Sequence, residues 1–351
     1  MAHKDRNFGL DVLRVLAIGG VLLTHMLGPI VPGILGVELF FVLSGYLIGS
    51  ILLRMATAAE PLGGSGLRQF WLRRWFRTLP NYYLFLVVYF FAGPALSPGW
   101  MGTAARPWRY VFLIQNLAWQ GEPFFGISWS LATEEWFYLL FPAAFWLFTR
   151  GQTGVSGILR RFFVVTAFFA LIPPVLRLVY VWQAPDTDIR SIALLRLDAP
   201  MYGILLAAVH TRRADCWQRL RNWWPAGIAG TAMAWGLLLS PSPMVRSFAF
   251  CVSAPAFALM LPAATGWSVR GGAIRTAIQR LSVWSYSLYL SHMFLYDAIR
   301  PALRYDEMVV WGRLAVKVLI LIVCILFSAL NYRFFERPLT NLRERFAPEL
   351  R

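Results

Sequence analysis

The chain has 351 residues, of which 58% are hydrophobic and only 14% carry charged side chains. Soluble domains contain about 25% charged residues, so this composition excludes an ordinary water-soluble protein and predicts an integral membrane protein. The formal net charge of +16 would suggest a nucleic-acid partner for a soluble chain, but the placement of these charges, described below, indicates contact with membrane lipids instead.

Ten apolar segments follow one another along the chain, each close to the roughly 20 residues that cross a hydrocarbon core as a helix. Stretches containing Arg, Gly and Pro separate them. We therefore predict an all-α integral membrane fold of about ten transmembrane helices, in one domain, 1–351, with no appended soluble domain. The predicted limits are Leu10–Gly28, Ile34–Leu53, Leu79–Leu96, Ile127–Phe148, Phe162–Trp182, Ile189–Val209, Trp223–Leu239, Val245–Ala264, Leu281–Ile299 and Val309–Phe334.

Alternate loops between these helices differ strongly in charge. The set that includes both chain ends is rich in arginine, for example at Arg68, Arg150, Arg212 and Arg275, whereas the opposite set has few charges or mixes arginine with acidic residues. Because arginine-rich loops stay in the cytoplasm, we expect both termini to be cytoplasmic. This orientation accounts for most of the positive charge without nucleic acid.

A basic segment lies between the second and third predicted helices. Residues 66–80, GLRQFWLRRWFRTLP, alternate arginine with Phe, Trp and Leu. Such a pattern is typical of a helix that lies in the membrane interface. We predict one short amphipathic helix here, on the cytoplasmic side.

Two polar residues of the first predicted helix stand out. Arg14 and His25 are eleven residues apart, which at about 100° and 1.5 Å per residue places them on nearly one face, about 16 Å apart. A charged group at mid-bilayer costs about 2.5–3.5 kcal/mol, so such residues indicate function. His25, near the outer end, can act as a general base if a carboxylate orients it.

Carboxylates lie at a similar predicted depth. Glu38 opens the second helix, and Glu134 and Glu135 lie two turns into the fourth. We predict that Glu134 or Glu38 orients His25, whereas Glu135 points about 100° away from Glu134 and is a poorer candidate. Glu38 also has a purely structural interpretation, because the helix dipole stabilises an acid at a helix N-terminus.

Further polar residues fall within the sixth and ninth predicted helices. Arg196 and Asp198 lie inside one apolar run, and Ser285 and His292 share a face through a seven-residue spacing. Each of these residues can take part in a site or can simply bridge helices. Glu134 has the alternative of pairing with Arg196.

The sequence gives no reason to assign a catalytic or metal-binding role to Ser44 or to the three cysteines. The Ser44 hydroxyl, beside Gly45, is interpreted as a helix-packing group rather than a nucleophile. The three cysteines, Cys216, Cys251 and Cys324, are too far apart to indicate disulfides or a metal cluster, so no metal is expected.

Seven motifs span nearly the whole chain: LDVLRVLAIGGVLLTH, GVELFFVLSGYLI, FWLRRWFRTLP, WSLATEEWFYLLFP, RLDAPMYG, SYSLYLSH and FFERPL. In this order they resemble the motifs of acyltransferase family 3, the bacterial membrane O-acyltransferases that modify surface sugars and some secreted products. The resemblance implies a ten-helix protein of the bacterial inner membrane. It also implies a cytoplasmic acyl-CoA donor, most commonly acetyl-CoA, and a hydroxyl acceptor on a carbohydrate.

The resemblance also implies roles for individual residues. Arg14 and His25 match the family's essential pair, Glu134 matches its acidic position, and Arg73, Arg74 and Arg77 match its basic motif. Where the family has Gln after the Glu pair, this chain has Trp136. That departure removes no reactive group.

The arginines also have structural interpretations. Arg14 can snorkel to the interface or pair with Asp11, and the loop arginines can serve orientation alone. Guanidinium groups nevertheless suit the phosphates of coenzyme A. The neighbouring rings, Trp71, Trp75 and Phe76, can flank an adenine.

The mechanism that these residues predict is direct transfer. Coenzyme A docks on the loop arginines, its arm passes Arg14, and His25 takes the proton of the acceptor hydroxyl as it attacks the thioester. A covalent acyl-enzyme stays open as a variant. The alternative function is a transporter or flippase, which predicts broken helices, for example at Pro173, Pro174 and Pro200.

Overall fold

The computed structural model describes residues 6–28, 33–58, 63–96, 106–122, 124–152 and 154–348. The regular secondary structure of these ranges is helical and includes no β-strand, which confirms the predicted all-α class. The extreme ends, 1–5 and 349–351, to which the prediction of cytoplasmic termini refers, lie outside the described residues.

The α-helices of the described ranges are numbered in chain order. They are α1 (Phe8–Leu27), α2 (Gly33–Ala56), α3 (Gly64–Leu96), α4 (Trp108–Val111), α5 (Ser128–Thr149), α6 (Val155–Gln183), α7 (Ala199–Arg212), α8 (Ala214–Leu220), α9 (Trp224–Leu238), α10 (Pro243–Ala264), α11 (Ala273–Ala302), α12 (Val310–Asn331) and α13 (Arg337–Phe346).

Six helical segments of the described ranges are long and apolar enough to cross a membrane. They are Phe8–Met26, Gly33–Ala56, Val155–Gln183, Ala193–Arg212, Pro243–Ala264 and Val310–Phe346. The chain is therefore a multi-pass membrane protein, while ten spans and the orientation of the termini stay predictions.

The basic segment 66–80 is helical, as predicted, but it is not a separate helix. It forms the first half of α3, which continues through Pro80 to Leu96. Trp71 Nε1 donates to Tyr138 O (2.9 Å) and the Tyr286 hydroxyl donates to Thr78 O (2.7 Å). These contacts with α5 and α11 hold the part of the segment that precedes Pro80.

The prediction of a sixth helix at Ile189–Val209 is wrong for the first half of that range. Residues 189–196 form two short 3₁₀ turns, and α7 begins at Ala199. The amides of Ala193 and Leu194 donate to the carbonyls of Asn116 (2.8 Å) and Leu117 (3.1 Å), so they pair with a neighbouring loop instead of a continuing helix. Pro200, in the first turn of α7, suits a helix start because it has no N–H to satisfy. By contrast, α6 runs unbroken through Pro173 and Pro174.

Close helix packing places α2 at the centre of the bundle. A Cβ on Gly45 of α2 would lie 1.9 Å from Pro200 O, and one on Gly203 of α7 would lie 2.0 Å from Val42 O. Only glycine allows this approach of α2 to α7, as in other membrane helix pairs with small residues at the contact. Ser44, the neighbour of Gly45, points about 100° away from this contact and lines a cavity described below.

Candidate active site

One cavity among the described residues, here called the large cavity, has a volume of about 560 Å³. It lies between the C-terminal half of α1, the start of α2, α11 and the loop that precedes α5. His25 faces it from α1 as an exposed side chain. Its charged side chains are Glu122, Asp188, Arg190 and Asp297.

The loop wall of the large cavity is held by its own polar side chains. Asn116 Nδ2 donates to the carbonyls of Trp129 (3.0 Å) and Ser191, and Gln115 Nε2 donates to Ser128 Oγ (3.1 Å). Burial raises the pKa of Tyr110 above its ordinary value, so its hydroxyl stays protonated and donates to Glu122 O (2.9 Å). The wall is thus fixed before any ligand enters.

The second cavity, here called the small cavity, has a volume of about 100 Å³. Three guanidinium groups line it, those of Arg14 from α1 and of Arg74 and Arg77 from α3. A single carboxylate, that of Glu134 from α5, accompanies them. All three arginines match motifs of the family named in the sequence analysis. The fold brings them together from two helices, although Arg14 and Arg74 are 60 residues apart in the chain.

Two residues, Val37 and Tyr289, line both cavities and so form the wall between them. The Tyr289 hydroxyl donates to Ile127 O (2.8 Å). Since that hydroxyl has one proton, the Ser130 hydroxyl is the donor in the 2.6 Å contact between the two side chains. Arg14 and His25, as their spacing predicted, share a face of α1 that passes from one cavity to the other.

The prediction that Glu134 or Glu38 orients His25 is wrong. Glu134 accepts hydrogen bonds from Ser44 Oγ and Tyr138 Oη in the small cavity. Glu38 is fully buried and forms an ion pair with Arg196, while its other oxygen accepts from Ser253 Oγ (3.2 Å). Neither acid bonds to His25, because each is already paired within the helix bundle.

The neighbour of His25 is a second histidine, His292 of α11, with ring centroids 5.1 Å apart. His292 Nδ1 contacts the carbonyls of Tyr289 (2.7 Å) and Leu288 (3.2 Å), so Nδ1 carries the proton and Nε2 is an acceptor. Nε2 has no hydrogen-bond partner among the described residues. The structure therefore brings the two histidine candidates together, while Ser285, on the same face of α11, lines the small cavity.

Arg73 lies apart from the other two arginines of its motif. Its guanidinium donates to Glu344 (3.0 and 3.2 Å) and to Ala347 O (2.7 Å), which fastens α3 to α13. The aromatic neighbours are also engaged, since Trp71 stacks on Trp75 with centroids 6.4 Å apart. Phe76 stacks on Phe346 in the same way.

Arg196 and Asp198 do not pair with each other, and Arg196 does not pair with Glu134. Arg196 pairs with Glu38, and its guanidinium carbon lies 3.6 Å from the ring centroid of Phe250. Asp198 pairs with Arg177 (2.8 Å), both side chains being about 1% exposed. These two buried ion pairs join α2 and α6 to the residues that lead into α7.

Sequence reasoning missed several residues of this region. Tyr138 and Ser130 lie four residues to either side of Glu134, and this spacing, which puts all three on one face of α5, was a signal. Glu336 belongs to the FFERPL motif, but the motif does not show its partners: it accepts from Ser287 Oγ (2.6 Å) and Asn81 Nδ2 (3.2 Å), which are distant in the chain. It lies in a short π-helical stretch, Tyr332–Glu336, a distortion that often marks functional regions.

The amino-acid sequence was also compared with protein families and with known proteins. A family model described as an acyltransferase domain matches residues 7–330. The peptidoglycan O-acetyltransferase OatA of Listeria monocytogenes is 36% identical over 156 residues, which cover 40% of this chain and 24% of that protein. The O-acetyltransferase OatA of Staphylococcus aureus is 36% identical over 148 residues, covering 38% and 24%. The match thus spans about a quarter of the length of these curated relatives, and no solved structure matches significantly.

Proposed function

The chain belongs to the acyltransferase domain family, and from this premise we propose that it is a membrane O-acyltransferase of the bacterial inner membrane. It moves an acyl group, in the first instance acetyl, from cytoplasmic acyl-CoA to a hydroxyl of a carbohydrate such as a cell-surface polysaccharide. The names of the relatives, which specify O-acetylation and in one case peptidoglycan, support the acetyl group and a glycan acceptor.

One observation carries the proposal: a cavity lined with guanidinium groups adjoins a cavity that contains an accessible histidine, with a wall of two side chains between them. A donor held by its phosphates and an acceptor held by its hydroxyls need different surroundings. The two cavities offer both, and α1 runs along each.

The small cavity suits the donor. Three guanidinium groups against one carboxylate favour the anionic phosphates of coenzyme A. A volume of about 100 Å³ admits an unbranched arm rather than a nucleotide, so the nucleotide would stay near Arg77, which is exposed. In this proposal Arg14, Arg74 and Arg77 bind the donor, and Arg73 holds α13.

The large cavity suits the acceptor and the proton transfer. His25 takes the proton of the acceptor hydroxyl, whose oxygen bonds to the thioester carbonyl carbon. The carbon–sulfur bond then breaks, and the leaving thiolate of coenzyme A receives the proton. His292 positions His25 in place of the carboxylate expected from the sequence.

The test is release of coenzyme A from acetyl-CoA by the purified protein in nanodiscs, with a panel of glycan acceptors. We expect His25→Ala to reduce the rate by about 10²- to 10⁴-fold, the usual contribution of a general base. His210→Ala is the matched control, because His210 is an exposed histidine outside both cavities that bonds to Tyr46 Oη (2.6 Å). A folded His25→Ala protein with the wild-type rate would contradict the assignment.

A transporter or flippase is the second candidate, and the same pair of cavities favours it, since two cavities with a thin shared wall also describe an interrupted passage. This function predicts uptake of a labelled glycan or acylated glycan into proteoliposomes without release of coenzyme A. Release of coenzyme A that depends on a glycan acceptor supports the acyltransferase and excludes a function in transport alone.

A further inference from the structure

The large cavity carries an excess of negative charge. Three carboxylates, those of Glu122, Asp188 and Asp297, face it against the single guanidinium of Arg190. Asp188 and Arg190 form an ion pair (2.6 Å), so the charges of Glu122 and Asp297 stay uncompensated within the lining.

Two further arginines lie outside the lining. Arg109 has its guanidinium over Trp119 (4.7 Å), and Arg300 donates to Asp306 (2.8 Å) and also interacts electrostatically with Asp297. The undescribed stretches that neighbour the lining in sequence, 29–32, 97–105 and 123, contain no ionisable side chain.

A second, independent feature of the same cavity is a set of buried oxygen atoms that accept no hydrogen bond from any described residue. Asn116 is 0% exposed and Gln115 3% exposed, and both line the cavity. Asn116 Oδ1, Gln115 Oε1 and Glu122 Oε2 all lack a partner. The orientation of the Asn116 amide is fixed, because its nitrogen donates to two carbonyl oxygens. A buried polar atom without a partner is costly, so these oxygens call for donors supplied by a ligand.

We infer that the large cavity selects a saccharide acceptor without anionic groups, either neutral or bearing an amine. Hydroxyl and ammonium groups supply the hydrogen-bond donors that Asn116 Oδ1, Gln115 Oε1 and Glu122 Oε2 lack. A carboxylate, sulfate or phosphate on the sugar brings further acceptors and a like charge, which Glu122 and Asp297 repel. This inference rests on the proposed acceptor function of the cavity and adds the chemical class of the acceptor.

Binding of sugars in the absence of acyl-CoA tests the inferred class of acceptor directly. Methyl β-glucoside, methyl β-glucosaminide and methyl β-glucuronide share one ring and differ in charge, and Trp129 in the cavity lining gives a fluorescence signal for occupancy. We expect the glucoside and the glucosaminide to bind at least ten times more tightly than the glucuronide in nanodiscs. Equal affinity for the glucoside and the glucuronide would overturn the inference.

Variants of Glu122 and Asp297 test whether these two carboxylates cause the preference for sugars without anionic groups. The double change Glu122→Gln with Asp297→Asn should raise the affinity for the glucuronide several-fold and lower that for the glucosaminide, with little change for the glucoside. Glu307→Gln is the matched control, because Glu307 is an exposed acid (73%) outside the lining. A glucuronide affinity that responds equally to both proteins would mean that overall charge, and not the cavity, sets the preference, which overturns the inference.

Coenzyme A release with the same three sugars separates this inference from the proposed function. Turnover with the glucoside but not the glucuronide supports both. Tight, charge-selective binding without any release of coenzyme A retains the acceptor class and removes the transferase. Release of coenzyme A at equal rates with all three sugars retains the transferase and removes the charge selection.

Discussion

The two cavities differ in charge, in size and in the state of their polar groups. The small cavity has three guanidinium groups and one carboxylate, and that carboxylate is satisfied by Ser44 and Tyr138. The large cavity is several times larger, has three carboxylates and one guanidinium, and leaves buried oxygens without partners. Opposite charges on the two sides of one wall indicate that the cavities serve different molecules.

This difference also shows how one helix serves two purposes. Arg14 and His25 share a face of α1, yet the first lies among cations and the second beside His292. Separation by about 16 Å along the axis keeps the guanidinium from the imidazole. A change that is local to one cavity should therefore leave the other intact, and a change in the shared support should affect both.

The largest expected effect comes from breaking that shared support at the buried Glu38–Arg196 pair, which lies next to Val37 of the wall. Glu38→Ala leaves the guanidinium of Arg196 buried without its counter-ion. Removal of one partner of such a pair costs about 3–5 kcal/mol. We expect a lower melting temperature in detergent and a joint loss of acyl-CoA binding and saccharide binding.

A double variant separates structural support from chemistry in this prediction. Glu38→Leu with Arg196→Met replaces the pair by apolar side chains, a change that is often neutral for stability. Recovery of both stability and turnover assigns Glu38 to support alone. If stability recovers while turnover stays absent, Glu38 takes part in the reaction and the comparison of two independent cavities fails.

A smaller and one-sided effect is expected from the arginines of α3. Arg74→Gln or Arg77→Gln removes one charged contact with the donor, worth about 1.5–3 kcal/mol, or about 10- to 150-fold in acyl-CoA affinity. Saccharide binding in the large cavity should not change. Calorimetry with a non-hydrolysable acetyl-CoA analogue measures the first quantity, and Trp fluorescence the second.

The control for these variants is Arg68→Gln, an exposed arginine of the same helix that lines neither cavity. It changes the charge of α3 without touching the small cavity. If Arg68→Gln weakens donor binding as much as Arg77→Gln does, the basic surface of α3 attracts the donor as a whole, and the cavity has no special part.

Much of the fold was predictable because a membrane imposes a length on each apolar helix. The segments that became α1, α2, α6 and α10 were long and apolar enough to identify from composition. The turn at 189–196 was not predictable in this way. Its amides pair with the carbonyls of Asn116 and Leu117, more than 70 residues earlier in the chain, and apolar composition does not show such contacts.

The site was predictable where its residues lie on one helix. The eleven-residue spacing of Arg14 and His25 predicted a shared face, and both side chains line cavities. The partners of the acids were not predictable, because Glu38 meets Arg196, and Glu134 meets Ser44, only through helix packing. The proximity of His25 and His292 also depends on the packing of α1 against α11.

The smallest expected effect concerns the wall itself, at Tyr289. Tyr289→Phe keeps the ring between the cavities but removes the hydroxyl that bonds to Ile127 O and Ser130 Oγ. The loss of such hydrogen bonds costs about 1 kcal/mol, so stability should fall slightly and turnover should persist. Tyr289→Ala also removes the ring, which opens the wall to water from the large cavity.

Acceptor-independent release of coenzyme A measures this opening. Water that reaches the thioester hydrolyses it, so Tyr289→Ala should release coenzyme A without sugar several-fold faster than wild type, while Tyr289→Phe stays at the wild-type level. If the two variants leak equally, the hydroxyl network and not the ring excludes water. If neither leaks, the thioester lies away from the wall, and the two cavities do not meet at the reacting atoms.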